Sequence, residues 1–244
     1  MEVSIISLEK TLNHPVQKYF PQATFFDAID LRNETPQNLL EKNLITINAF
    51  ECLQNGRKYH REISTSGAIG LILSFLQILK SSTEAILICE DDCVPSQELS
   101  VVINRFLMHS SEFDMVVFGP IMYERAKNYL PSKFKDFDVL NNYFWGNHAI
   151  LFSPSGRQKV IKYLNPPFDV QLDAVFSRLA LYYNFKILIQ ASGEPLARQS
   201  LHLSTVQNNF DVCVLCDTDT NSRYSCPFLL FVIFLVLFVF FIAK

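Results

Sequence analysis

Residues 86–92 read ILICEDD. Ile86, Leu87, Ile88 and Cys89 suit a buried strand, and Glu90, Asp91 and Asp92 follow without a break. Crowded carboxylates repel one another and resist burial unless a cation sits among them. A core strand with this ending therefore leads, at its carboxyl end, either into a solvated turn or to a divalent metal. Other apolar runs, at residues 3–8, 23–29, 114–118, 143–152 and 186–190, also read as strands. Helix candidates separate them, which predicts an α/β fold: a Rossmann-type, mostly parallel sheet flanked by helices. In wound sheets ligands sit beyond the carboxyl ends of the strands. The acidic triplet occupies such an end.

The strongest helix candidate is SGAIGLILSFLQILK, residues 66–80, with Ser64 or Ser66 as cap. It is apolar almost all round, so it should lie between other elements. Gly67, Gly70 and Ser74 fall on one side of it, where another backbone or a ligand can come close. Helices are also expected at 97–109, at 154–164 with Ser153 as N-cap and Pro154 at N1, and at 169–183. Residues 38–50 are ambiguous. Residues 122–142 show no clear period and read as a long loop of the kind that often carries function. From 192 to 223 the chain is polar and unpatterned, and is expected to wrap the domain.

The chain has 244 residues, enough for one sizeable domain with a real core. With 21 basic and 24 acidic residues the net charge is −3, which gives no case for nucleic acid. Neither GxGxxG nor GxxxxGK[ST] occurs, which disfavours nicotinamide-dinucleotide and ATP-type phosphate loops. From Phe228 to Ala243 the sequence is unbroken apolar residues, bracketed by Arg223 and Lys244. As a helix it spans about 25 Å, slightly short of the ~30 Å hydrocarbon core. A core helix should show some polar face, and this run has none. It reads as a single C-terminal transmembrane helix. With no signal peptide at the N-terminus, the expectation is a tail anchor with the remainder on the cytosolic side. The organisation expected is a domain over 1–206, a linker over 207–223 and the anchor over 224–244. Six cysteines fit a reducing compartment. Cys213 and Cys216 form one CxxC pair, a poor zinc site without a second. Cys226 abuts the apolar run and is a candidate for palmitoylation.

Alternate side chains of an extended segment share a face. Glu90 and Asp92 can thus point at one site, with Asp91 turned toward the sheet or a backbone N–H. Two hard oxygen ligands suit Mg²⁺ or Mn²⁺, which also take phosphate oxygens of a substrate.

Several blocks resemble glycosyltransferase family 25, the lipopolysaccharide and collagen glycosyltransferases, in the family's order. Gly67-Ala68-Ile69-Gly70 with Ser74 is similar to its G-x-I-G-C-x-x-S-H helix, and Ile86–Asp92 to its I-L-I-x-E-D-D strand. Phe113–Gly119 is similar to the strand that follows. Gly146–Ser153 with Gly156 is similar to the G-T-x-x-Y-x-I-S-x-x-G-A block, and Pro167-Phe168-Asp169 to the later P-x-D. Pro195-Leu196, Gln199 and Ser204-Thr205 resemble the closing segment, so the likeness runs over roughly residues 2–206. Two features depart from the family. Ser74 is followed by Phe75 where histidine is usual, and the arginines common after the first strand are missing. Lys10 or Lys18 is the available substitute.

The resemblance implies a GT-A fold and a metal-dependent, inverting hexosyltransferase. Such an enzyme moves a hexose from a nucleotide-diphosphate sugar, expected to be a UDP-sugar, to a hydroxyl on a glycan or protein. The metal ligands implied are Glu90, Asp91 and Asp92, with His202 as a further candidate. Gly67, Gly70, Ser74 and Trp145 are candidates for donor contacts. Trp145 either stacks on a sugar or uracil ring or packs in the core. Inversion needs a base at the acceptor hydroxyl. Asp169 is the first candidate, Asp173 lies one turn later on the same face, and His148 is the runner-up. The position of Asp169 equally suits the helix dipole, and that of His148 a core hydrogen bond. The alternative to an enzyme is a degenerate transferase fold kept as a tail-anchored binding or scaffold protein.

Overall fold

The computed structural model describes residues 1–9, 13–123 and 130–200. Strand β1 (Glu2–Ser7), helix α1 (Pro15–Tyr19) and strand β2 (Thr24–Asp27) come first. Helices α2 (Pro36–Glu41) and α3 (Ile47–Asn55) resolve the ambiguous stretch, each capped by a threonine, Thr35 and Thr46. Helix α4 (Ser66–Ser81) follows, then β3 (Ile86–Glu90), β4 (Cys93–Pro95), α5 (Leu99–Leu107) and β5 (Met115–Val117). Three short strands, β6 (Met122–Tyr123), β7 (Leu130–Pro131) and β8 (Phe137–Val139), lie in the stretch expected to be loop. The rest is β9 (Phe144–Trp145), β10 (Ala149–Phe152), α6 (Pro154–Tyr163), α7 (Leu172–Tyr182), β11 (Ile187–Gln190) and β12 (Ala197–Gln199).

The main sheet has eight strands in the order β2-β1-β3-β10-β5-β11-β8-β7. Strands β10 and β8 run against their neighbours, so the sheet is mixed and mostly parallel. Two small two-stranded sheets, β12 with β4 and β6 with β9, stand apart from it. The central strands carry apolar residues toward both faces, which requires cover on both. One face packs Ile86 and Ile88 with Ile69, Ile72 and Phe75 of α4 and Phe176 of α7. The other packs Leu87 and Cys89 with Val16 of α1 and Ile103 and Phe106 of α5.

Local chemistry sets the element ends. The α4 cap is Thr65, the residue between the two serines expected, and its Oγ1 accepts from Ala68 N at 3.3 Å. Ser153 Oγ accepts from Gly156 N at 3.0 Å, with Pro154 in the first turn of α6. The run 143–152 is not one strand. It breaks at Gly146, whose φ of +103° suits glycine and separates β9 from β10. Helix α7 starts at Leu172, three residues later than its pattern suggests. Val170 is engaged in a bridge with Glu62, and Gln171 serves as N-cap. Its side chain is fixed elsewhere, Nε2 donating to His60 O (2.9 Å) and Glu62 O (2.8 Å).

Among the described residues no helix is long and apolar enough to cross a membrane. The proposed anchor and linker, His202, Lys10 and the cysteines at 213, 216 and 226 lie outside the described residues.

Candidate active site at the acidic strand end

Strand β3 ends at Glu90, opposite Ile6 near the end of β1 and beside the start of β10, where Ala149 pairs with Cys89. Glu90 N donates to His148 O at 3.1 Å. The end of the strand divides the triplet. Glu90 lies on the side of α4 and α7, half-buried. Asp91 turns to the other side, exposed, with its Oδ2 3.1 Å from Ser7 Oγ and its carbonyl accepting from His14 Nε2 at 2.8 Å. Asp92 is half-buried in the turn before β4. Its Oδ2 accepts from Gln199 Nε2 at 2.5 Å and its carbonyl from Ser200 N at 2.7 Å. Its other oxygen, Oδ1, is buried without a hydrogen-bond partner.

Asp173, in the first turn of α7, is buried, and its charge reaches this group. Burial pushes its carboxyl up to about 6, against the pull of the Ala174 and Gly146 N–H groups and the Arg57 charge. Burial also raises Glu90 well above the ordinary range, and the charges of Asp92, Asp91 and Asp173 add to it. Asp92 is raised by burial, opposed by the Gln199 hydrogen bond and by His148. These are the signs of buried carboxylates gathered in one place, with Arg57 and His148 offsetting only part of the effect.

His148 is 2% exposed, and its Nε2 lies 3.4 Å from Ala197 O. Burial lowers its pKa, while the Ala197 carbonyl, Asp92 and the Gly119 backbone push the other way. Its Nδ1 is buried without a partner. Among the described residues no three His, Cys, Asp or Glu side chains converge closely enough to hold a metal by themselves.

The other candidates fall elsewhere. Asp169 precedes α7 and is engaged by Arg178, whose Nη1 lies 3.0 and 3.1 Å from its two oxygens. Gly70 and Ser74 face the 28–31 segment. A Cβ at Gly70 would come within 2.1 Å of Ile29 O, and Ser74 Oγ accepts from Ile29 N at 2.9 Å while donating to Gly70 O at 2.8 Å. A backbone, rather than a ligand, takes the close approach there. Gly67 is half-buried in the first turn of α4. Lys18 is exposed, with Nζ 5.2 Å from the centre of the Tyr19 ring.

Trp145 is half-buried, and the His60 ring meets it edge-on at 5.5 Å. His60 belongs to the segment that Gln171 fastens to the start of α7, and Arg57 Nη1 donates to His60 O at 3.3 Å. Arg57 and His60 thus stand with Trp145 near the start of the helix that carries Asp173. Sequence reasoning passed over Arg57, His60, Gln171 and the clamp role of Gln199. Their positions come from contacts across long sequence separations, and no local spacing marks them.

No protein-family model matches the sequence, and no curated protein matches it. Three solved structures are similar at 11–12% identity. A mannose-1-phosphate geranyltransferase from Thermus thermophilus matches over 54% of this chain and 51% of its own, with a TM-score of 0.30. This chain therefore spans about half of that protein. An apo UDP-glucose pyrophosphorylase is covered over 75% of its length and 80% of this chain, with a TM-score of 0.36. An inositol-1-phosphate CTP transferase from T. maritima is covered over 94% of its length and 88% of this chain, with a TM-score of 0.34. Likenesses at this level leave the chemistry to the chain's own residues.

Proposed function

We propose that the chain is a metal-dependent inverting glycosyltransferase. It would move a hexose from a nucleotide-diphosphate sugar, with UDP-sugars the first class to try, to a hydroxyl of a glycan or protein. The observation that carries this reading is the crowding of Glu90, Asp92 and Asp173 at the carboxyl end of a central strand. The order of sequence blocks resembling family 25 supports it.

A divalent cation fits these residues. Asp92 Oδ1 is a buried acceptor with nothing to accept from, and the raised carboxyls of Glu90 and Asp92 mark missing positive charge. Asp92 and Glu90 would hold Mn²⁺ or Mg²⁺, with Asp91 behind them. When bound, the cation would stabilise a departing diphosphate. Asp173 is the base this geometry favours, because a carboxyl near 6 can take a proton at physiological pH. Asp169 is the less favoured candidate, being paired with Arg178. Trp145 and His60 offer an aromatic wall for a sugar or base.

A second reading, a degenerate fold kept for binding, is favoured by two observations. Gln199 already occupies one oxygen of Asp92, and Phe75 fills the core against Phe176 where the resembled family has histidine. Turnover decides between them. The full chain, in detergent, is assayed against a panel of UDP-sugars with Mn²⁺, beside Asp92→Ala. The account predicts hydrolysis or transfer by the wild type and a loss of roughly 100- to 1,000-fold in the variant. Turnover by neither protein removes the enzyme reading.

We also propose that residues 228–243 lie in a membrane. A chain ending at residue 222 should then need no detergent, whereas the full chain should. Equal solubility of the two without detergent would contradict this.

A further inference from the structure

We propose that His148 supplies a nitrogen ligand, through Nδ1, to the same divalent cation that Asp92 binds through Oδ1. The proposal rests on the metal-dependent reading above and adds a ligand from outside the acidic triplet.

The argument starts from β12. Its Ala197 carbonyl faces His148 Nε2 at 3.4 Å, and two residues on, Gln199 Nε2 donates to Asp92 Oδ2 at 2.5 Å. One strand therefore holds one polar atom of each group and leaves the other atom of each uncommitted. A carbonyl can only accept, so the Ala197 contact favours the proton on Nε2 and a lone pair on Nδ1, with the Gly119 backbone also against the ring. That Nδ1 belongs to a side chain 2% exposed and has no partner. Asp92 Oδ1 is likewise buried and unpartnered, and the two do not bond each other. The two groups nonetheless feel each other's charge.

Two buried acceptors without a donor are unfavourable in the absence of a cation. Metal-bound histidines commonly donate their other N–H to a backbone carbonyl, which fixes the ring and its tautomer. His148 has this arrangement before any metal arrives. His148 and Glu90 are also neighbours across the β3–β10 pair, since Ala149 pairs with Cys89 and Glu90 N reaches His148 O. Two protein ligands, Asp92 and His148, leave positions for diphosphate oxygens and water. That accounts for the absence of a complete protein-only ligand set among the described residues. A nitrogen among the ligands favours Mn²⁺ over Mg²⁺, because imidazole suits the transition metals better.

The test uses the full chain with Mn²⁺ and UDP, read by electron spin-echo envelope modulation. The wild type should show ¹⁴N coupling to Mn²⁺. Growth on ¹⁵N-histidine should convert it to ¹⁵N coupling, a result that needs no variant. His148→Gln should lose the coupling and bind Mn²⁺ roughly 10- to 100-fold more weakly, with Mg²⁺ binding changed less than about threefold. Mn²⁺ bound without nitrogen coupling, or coupling unaltered by labelling or by His148→Gln, overturns the proposal and leaves the metal-dependent reading intact. No Mn²⁺ binding at all, seen by water-proton relaxation, removes both.

Discussion

The small-residue side of α4 and the acidic end of β3 invite the same question from sequence: does a ligand come here? The structure answers them differently. At α4 every polar atom of interest is paired. Ser74 Oγ accepts from Ile29 N and donates to Gly70 O, and the missing Cβ of Gly70 admits Ile29 O. At the strand end, Asp92 Oδ1 and His148 Nδ1 are buried and unpaired, and the charges of Asp92, Asp91 and Asp173 all bear on Glu90. A satisfied polar network points to structure; an unsatisfied one points to something that must be brought in.

Three changes sharpen this contrast. The largest effect is expected from Gly70→Ala. The new methyl meets a backbone oxygen that cannot swing away, so unfolding free energy should fall by roughly 3 kcal/mol in chemical denaturation. UDP affinity of the folded protein should hold. A loss of affinity without a loss of stability would make α4 part of the donor site.

The next concerns pH. Asp173 has its folded pKa raised from 3.8 to about 6, so the folded state holds a proton that the unfolded chain gives up. Stability from this group is fully present below about pH 4 and is lost as pH rises through 6. In metal-free buffer that is a fall of about 2 kcal/mol between pH 4 and about pH 6. Glu90 contributes with the same sign. Asp173→Asn should flatten part of the fall. An unchanged slope would show that Asp173 does not titrate in this window.

The smallest is Ser74→Ala, which deletes one hydroxyl and leaves Ile29 N without its partner. A cost of about 1–2 kcal/mol is expected, with no change in metal affinity.

Much of the architecture was legible in the sequence because its causes are local. Apolar runs between helical periods pointed to the wound sheet, Ser153-Pro154 marked the start of α6, and ILICEDD placed the acidic edge. Asp91 parts from Glu90, but the strand ends at Glu90 and Asp91 and Asp92 lie in a turn, so the expected extended segment does not set where Asp92 points. What stayed hidden depends on distant partners. The break at Gly146 reflects a backbone turn inside an apolar run. The late start of α7 reflects a bridge from Val170 to Glu62. Asp169 looked like a first-turn acid until Arg178 claimed it, and Gln199 became a clamp through the pairing of β12 with β4. The segment carrying Arg57 and His60 reaches the start of α7 through Gln171, a contact more than a hundred residues apart in sequence.

The central claim is that the acidic end of β3 holds a divalent cation on which nucleotide binding depends. Calorimetric titration of UDP into the full chain, with Mn²⁺ and with chelator, tests it most directly. The account predicts binding with Mn²⁺, loss of that binding on chelation, and roughly a tenfold or greater weakening in Asp92→Asn. UDP affinity indifferent to both the metal and the substitution, or no UDP binding under any condition, would contradict it.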